Sequence, residues 1–588
     1  MTYKGVIKDM NRKLLIIVIY LASLGVIALP SSAATEPSLQ PYPADVVLQN
    51  GRIYAGKSDN PWLSAVAVKG GKFVYTGHDA SNFIGPKTKV YDLSGKTVIP
   101  GIIDAHSHPG SVALSGNTLL LEESSTKSEL IKAVKKLVAE NKDRQVLIGG
   151  YWENALFDVT GPRKEVLDAI EPTRPLILYD AWAHTVWANS AALKQAGVTR
   201  DTKDLVPGFS FYQKSKNGEP TGWITESAAS VFINKFHSIT PEVQASLLAY
   251  LQYYRDIGVT TVLDAGNFGM DRQVFAAVSQ LDKKGLLPIR YHGAYTLFKP
   301  DDLDDAVKTL KKLGDDFNSE KVRIDTLKIF FDGVIETRTA AMSHDYYDTP
   351  GNSGDTLLSQ EQVHKLILEL EAGGLNLHVH AVGDRAVTTI LNAVEAAHKT
   401  LSQAPNIRIT ICHLEVVKET DFPRFKKLGV IANFTPHWTI GGDLTRYEQG
   451  VGKSAFEMQR SQPLISDGTV VTFSSDITDA YEWKNDRANP YLGIQVGHNR
   501  QDVGVEENGL YMPPMSERLQ RRDLVDGYTT NAAYQLGREE EIGLIGVGKQ
   551  ADLIVLDQNI FEVDRYSIHK TKPLAVMVGG NLVSGSLR

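Results

Sequence analysis

The sequence predicts an α/β chain, with a parallel (β/α)8 TIM barrel set between two β-rich ends. Three observations predict it. Eight short apolar runs of strand length lie between Val98 and Ser475, and helical stretches such as Gln360–Ala372 and Asp384–His398 separate the later ones. Both ends of the chain carry strand-like runs around Gly-Gly pairs. Several central runs finish on His or Asp, and barrel enzymes keep their chemistry at the C-terminal ends of the strands.

The chain opens with Lys4, Lys8, Arg12 and Lys13, an apolar run from Leu14 to Leu29, and Pro30-Ser-Ser-Ala-Ala34. This is the pattern of a secretory leader over residues 1–34, with cleavage expected near Ala33 or Ala34. The competing reading is an uncleaved anchor, but the run is shorter than the ~20 apolar residues a span prefers. The one cysteine is Cys412, so no lipid-anchoring cysteine follows the leader and no intrachain disulfide can form. Export, to a periplasm or outside the cell, is the expectation.

Residues 42–97 read as short strands, with Gly70-Gly71 as a hairpin turn between Ala65–Lys69 and Lys72–Gly77. Residues 541–588 repeat that texture in Ala551–Asp557 and Pro573–Val583. The residues leave open whether these are two modules or one. Between them the eight strands are expected near Val98–His106, Val259–Asp264, Ile289–Ala294, Ile324–Asp332, Leu375–His380, Ile407–His413, Val430–Thr435 and Val470–Ser475. The gap after the first strand is too long for a loop. Residues 110–239 therefore read as an inserted subdomain, with strands at Gln145–Tyr151 and Pro175–Tyr179 and a hairpin around Lys216-Asn-Gly-Glu219. An insertion at that face caps the active site.

At 588 residues, the chain exceeds one ordinary domain unless a large barrel takes most of it. Its 42% hydrophobic and 22% charged residues are those of a globular protein, and a net charge of −7 with no basic run argues against nucleic acid.

The chemistry starts at Val98-Ile-Pro-Gly-Ile-Ile-Asp-Ala-His-Ser-His-Pro109. Side chains alternate along a strand, so His106 and His108 share a face, and two imidazoles on one face are half of a metal site. Lys328 sits mid-strand, where an ammonium ion is costly. It either snorkels or pairs with Asp325 or Asp332, or it stays neutral and reactive. His380 and His413 fall at the ends of the fifth and sixth strands, and Asp476 follows the eighth. Each alone suits a structural role, Asp476 as a helix N-cap. Two histidines on consecutive strand ends, after a His-x-His pair, are a rarer coincidence.

The His-x-His run resembles the metal-binding signature of the amidohydrolase superfamily. Across the mature chain the resemblance is closest to amidohydrolase family 3, which includes N-substituted formamide deformylases. Its marks are Pro172-Thr-Arg-Pro175, His184-Thr-Val-Trp-Ala-Asn-Ser190, Gly218-Glu-Pro-Thr-Gly-Trp223 with Glu226, Asp332-Gly333 with Arg338-Thr-Ala340, and Gly543 with Gly548-Lys-Gln-Ala-Asp-Leu553. Trp182-Ala183 before His184 and Cys412 before His413 depart from the pattern, which puts the substrate in doubt.

The resemblance implies one composite β-sandwich from 42–97 and 541–588, around a barrel spanning 98–540. It implies metal ligation by His106, His108, Lys328 as a carbamate, His380, His413 and Asp476, with Asp476 also the general base. One ion would take the His-x-His pair and Asp476, and the other His380 and His413, with Lys328 bridging. Such ligands suit two divalent ions, Zn²⁺ first, with Fe, Mn or Co as alternatives. His184, His437 and Trp438 are candidate substrate contacts, and packing is an equal alternative for them. The implied activity is hydrolysis of a C–N bond in an amide, N-acyl or N-formyl group. An ester, lactone or cyclic C–N substrate is the alternative, and so is a non-catalytic binding or regulatory role. The expected partners are a small-molecule substrate, no nucleic acid, no membrane once the leader is cleaved, and, as an open alternative to a monomer, a second copy in a homodimer.

Overall fold

The computed structural model describes residues 43–588, apart from 58–59, 159, 441–443, 506–508 and 588. The leader read at residues 1–34 lies outside the described residues.

Eight parallel strands form the central sheet. They are β1 (Ile102–Ser107), β2 (Val259–Asp264), β3 (Arg290–Leu297), β4 (Val322–Phe330), β5 (Asn376–Ala381), β6 (Ile409–His413), β7 (Ile431–Phe434) and β8 (Val471–Phe473). They are hydrogen-bonded in that order. The seam between β8 and β1 is joined beyond the ladders, by Asp476 N–H to His106 C=O at 2.8 Å and His108 N–H to Ile477 C=O at 3.0 Å. The sheet thus closes into a barrel at its C-terminal mouth. Helices such as Gln360–Gly373, started by a Ser359–Gln362 capping box and ended at left-handed Gly374, cover the outside. The eight predicted strands correspond to the observed ones to within a few residues.

One predicted strand is in fact two. The run Val98–His106 breaks at Gly101, and Thr97–Pro100 leaves the barrel for a different sheet, pairing with Leu553–Leu556 and Arg52–Ile53. A side chain at 101 would stand 2.4 Å from Thr260 Oγ1, so only glycine fits where the chain passes from one layer to the other. Apolar periodicity cannot report such a break, because both halves are buried.

Strands from the two ends of the chain interleave. The order Asn581–Gly585, Pro573–Val578, Leu553–Leu556, Thr97–Pro100, Arg52–Tyr54 and Trp62–Leu63 makes one six-stranded sheet. A second, four-stranded sheet holds Lys72–Gly77, Ala65–Lys69, Val46–Gln49 and Lys89–Asp92. Leu48, Val66 and Phe73 of the second sheet share a hydrophobic cluster with Val98, Val555 and Met577 of the first. Gly70 and Gly71 take φ +56° and +81°, the two positive values that a two-residue hairpin turn demands.

The segment after β1 builds a six-stranded sheet of its own. Its order is Tyr212–Lys214, Pro220–Thr225, Thr185–Ala188, Leu176–Asp180, Leu147–Trp152 and Leu119–Leu120. Two apolar clusters, centred on Trp152 with Trp187 and on Val186 with Phe232, flank this sheet. Among the described residues, no helix is long and apolar enough to cross a membrane.

Candidate metal centre

The donor residues reach one mouth of the barrel by strand register. Lys328 on β4 pairs with His378 on β5, Phe330 with His380, and Ala381 with His413 on β6. β1 stops at Ser107, and Pro109 opens the helix Pro109–Ser115, so His106 and His108 straddle the strand end. Asp476 follows β8 by three residues. His413 and Asp476 have positive φ, +75° and +50°. Side chains rarely tolerate that region, so the surroundings hold both residues in place, as is common where function requires a fixed group.

The side chains converge. Asp476 Oδ1 lies 3.4 Å from His106 Nε2 and 3.4 Å from His108 Nε2. His413 Nδ1 is 3.3 Å from Asp476 Oδ2, and the His380 and His413 ring centres are 4.3 Å apart. Lys328 Nζ is 3.4 Å from His106 Nε2 and 3.6 Å from Cys412 Sγ. Lys328 is completely buried and makes no ion pair among the described residues. His378 Nε2 stands 3.1 Å from His106 Nδ1, behind the cluster. All six residues predicted as ligands are therefore neighbours.

Backbone carbonyls set the tautomers. His108 Nδ1–H donates to Gly266 C=O at 2.8 Å, which leaves Nε2 as the lone-pair nitrogen beside Asp476. His380 Nε2–H donates to Gly333 C=O at 3.1 Å, which leaves Nδ1 free. Burial first, and then the positive field of Lys328, pushes His106 and His378 well below the ordinary histidine range. Burial first, then neighbouring imidazoles and Lys328, does the same to His380 and His413. Neutral imidazoles are the form that binds metal.

Two buried atoms of this cluster, Asp476 Oδ2 and His413 Nε2, have no hydrogen-bond partner. A buried carboxylate oxygen without a donor is costly. A carboxylate ringed by neutral nitrogen donors instead of N–H donors fits a divalent cation, and His106, His108 and Asp476 lie close enough together to share one.

The cavity over this cluster is lined by Trp182, His184, Phe268, Phe330, Glu415 and Trp438, among others. Burial opposes a charge on His184, but Glu226, with Oε2 2.6 Å from Nδ1, outweighs it and raises the imidazole to about 9. Glu226 is itself held by Thr339 Oγ1 at 2.6 Å. Trp438 stacks on His413 with ring centres 6.0 Å apart. The structure thus places His184 and Trp438 in the cavity wall. His437, in the turn Pro436–Ile440, is buried and is not among the lining residues.

Other contributors are less visible in sequence. Asp332 accepts N–H bonds from Ala341, Val382 and Gly383 at 2.9–3.0 Å and so ties the loops after β4 and β5 together. Its Asp-Gly pair is the signal for it. A side chain at Gly333 would meet Thr339 Oγ1 at 2.1 Å. Phe268 and Glu415 belong to loops whose spacing carries no periodic signal.

Comparison with known proteins identifies the family and the fold. The amidohydrolase family matches residues 89–584. The exoenzymes regulatory protein AepA of Pectobacterium carotovorum is 30% identical over 71% of this chain and 90% of its own. The N-substituted formamide deformylase of Arthrobacter pascens is 25% identical over 92% of this chain and 98% of its own. An uncharacterized metal-dependent hydrolase from Pyrococcus horikoshii superposes with a TM-score of 0.65 at 22% identity, over 88% of this chain and 99% of that one, which establishes the shared fold. From barrel, donor set and family match together, the chain belongs to the amidohydrolase family, and it carries the donor set of a metal-dependent hydrolase.

Proposed function

We propose that this protein hydrolyses a C–N bond of a small molecule, in an amide, N-acyl or N-formyl group. The observation that carries the reading is the unpartnered Asp476 Oδ2, buried among imidazoles at the floor of a cavity. His106, His108 and Asp476 would hold one divalent ion, and His380 and His413 a second. Lys328 would contribute to holding them as a carbamate, formed when its amine nitrogen adds to carbon dioxide with loss of a proton. A bound ion of this kind, Zn²⁺ first and Fe, Mn or Co as alternatives, supplies Lewis acidity and a water acidic enough to ionise near pH ~7.

The chain's own residues do the rest. Asp476 Oδ2 has no donor to satisfy it, so it is free to take the proton from water and return it to the leaving nitrogen. His184, kept cationic by Glu226, offers a hydrogen-bond donor in the cavity wall for the negative charge that develops on the carbonyl oxygen. Trp182, Phe330 and Trp438 exclude bulk water.

The test is hydrolysis of N-formyl and N-acyl amines by metal-reconstituted protein, with Asp476→Ala as control. Wild-type turnover lost in Asp476→Ala supports the reading, whereas full activity in metal-loaded Asp476→Ala overturns it. The relative named as a regulatory protein motivates a second reading, a non-catalytic binding role. Failure to bind near-stoichiometric metal would favour that alternative. Export by the leader at residues 1–34 is a separate proposal, tested by N-terminal sequencing of the mature protein.

A further inference from the structure

The end of the barrel opposite the metal centre holds a cavity of a different kind. Arg290 opens β3 and Arg323 lies at the start of β4, whereas the metal-centre donors gather at the other strand ends. Arg323 precedes Lys328 by five residues on β4, roughly 16 Å along the strand. The cavity encloses about 1430 Å³ including its mouth and lies between the barrel and the sheets built by the two chain ends. Arg290, Lys321 and Arg323 line it from the barrel side and Lys72 from the four-stranded sheet. Arg538 and Glu541 come from the segment before Leu553–Leu556.

Charge sets this cavity apart. Five cationic side chains line it against two acidic ones, Glu320 and Glu541, in a chain whose net charge is −7. The three guanidiniums converge. Arg538 Nη1 is 3.4 Å from Nε2 of the buried His292. Burial first, and then the fields of Arg538, Arg323 and Arg290, pushes that imidazole well below its ordinary range. Burial opposes a charge on Glu541, but the hydrogen bond from Arg538 and the fields of the same three arginines hold its carboxyl low.

The nearby acids do not use up this positive charge. Asp552 Oδ2 accepts Arg290 Nη1–H at 2.5 Å, and its Oδ1 is committed to Gly579 N–H at 2.7 Å. Glu541 accepts Arg538 Nη2–H at 2.5 Å. Arg323 has only Asp325, at 3.9 Å and without a hydrogen bond, and its side chain is 42% exposed. Lys321 Nζ donates to Leu287 C=O at 2.9 Å and has no acid partner. Lys72 is exposed and has no ion pair among the described residues. Like charges gathered around one space repel each other, and a bound anion relieves that repulsion.

The donors also indicate the anion. Guanidinium forks match the oxygens of a phosphate, and ammonium groups add point charge. Pro288 and Val578 give the cavity an apolar wall for an organic body beside the charged group. We propose that this cavity binds a small molecule bearing a phosphate or diphosphate group, and that the bound anion clamps the barrel to the sheets of the chain ends. The proposal is independent of the hydrolase reading.

The experiment is titration calorimetry with inorganic pyrophosphate, on purified protein dialysed free of unbound metal. Wild type should bind one pyrophosphate per chain. Lys72→Ala with Arg323→Ala should weaken binding by about 10-fold or more. Pyrophosphate should raise the Tm of wild type and not that of this double variant. Arg323→Gln alone should weaken binding by about threefold or more, and it is the deciding variant if the double one fails to fold. Lys308→Ala with Lys311→Ala, which removes the same charge from the exposed face of the helix Leu303–Phe317, should bind like wild type. Binding unchanged by the Lys72 and Arg323 substitutions would lie at the metal centre or follow net charge, and overturns the proposal. So does the absence of saturable binding up to about 1 mM pyrophosphate. Citrate bound as tightly as pyrophosphate would overturn the assignment of a phosphate.

Discussion

Two buried aspartates at the barrel seam, Asp104 and Asp476, have opposite surroundings. Asp104 on β1 accepts Tyr254 O–H at 2.7 Å, Ser475 O–H at 2.5 Å and Ser475 N–H at 3.1 Å. Asp476 follows β8, and its Oδ2 has no hydrogen-bond partner at all. Both are about 2% exposed, so solvent does not distinguish them. What differs is the kind of neighbour. Asp104 is given hydroxyl and amide hydrogens, which satisfy a carboxylate permanently. Asp476 is given imidazole nitrogens, which do so only when a cation sits between them. The carboxylate at the seam is satisfied by the fold itself, whereas the one at the mouth is left without a donor on Oδ2.

The comparison can be broken at several points. The largest expected effect is on catalysis. Asp476→Asn should lower kcat by about 10³-fold or more, because the proton acceptor and a metal ligand go together. The metal-free variant should melt no lower than metal-free wild type, since an unsatisfied buried charge has been removed. A large loss of metal-free stability would place Asp476 with Asp104 as a structural group.

Lys328→Met keeps the volume of a fully buried side chain and removes its amine. Elemental analysis should then find about one divalent ion per chain where wild type holds about two. Two ions in both proteins would remove Lys328 from the ligand set.

Asp104→Ala should act on the fold. It removes the acceptor shared by the hydroxyls of Tyr254 and Ser475 and leaves the buried Ser475 N–H without a partner, and denaturant unfolding should show a loss of about 2–4 kcal/mol. A change below about 0.5 kcal/mol would mean that the seam does not depend on it.

The smallest effect belongs to a third buried aspartate. Asp526 accepts Tyr54 O–H at 2.8 Å, and burial raises its carboxyl from 3.8 to about 6. The folded chain therefore holds this proton more tightly than the unfolded one. The contribution to stability is complete below about pH 4 and is lost as pH rises through about 6. Relative to Asp, Asn at 526 should be favoured by roughly 1–3 kcal/mol at pH 8, with the advantage gone near pH 4. A pH-independent difference would show that Asp526 does not titrate in this range.

Much of the architecture was legible because barrel strands are short, apolar and regularly spaced. The placement of the candidate donor residues was legible too: His106, His108, His380 and His413 stand at or just beyond strand ends, and strand ends are where a parallel barrel gathers its loops. The break at Gly101 was hidden, because two buried strands in succession read as one apolar run. His437 and Trp438 are adjacent in sequence and looked equivalent, yet only Trp438 reaches the cavity wall.

The sequence by itself determined the alternation of strands and helices, the positions of the imidazoles and the acid, and the long insertion after the first strand. These are local consequences of periodicity and side-chain chemistry. Only the tertiary structure decided which polar groups are satisfied. Asp104 and Asp476 are the same residue type, equally buried, and the donors that distinguish them arrive from up to 371 residues away. Hydrogen bonding depends on distance and angle in three dimensions, so the contrast between a closed seam and an open site exists only once the barrel has closed.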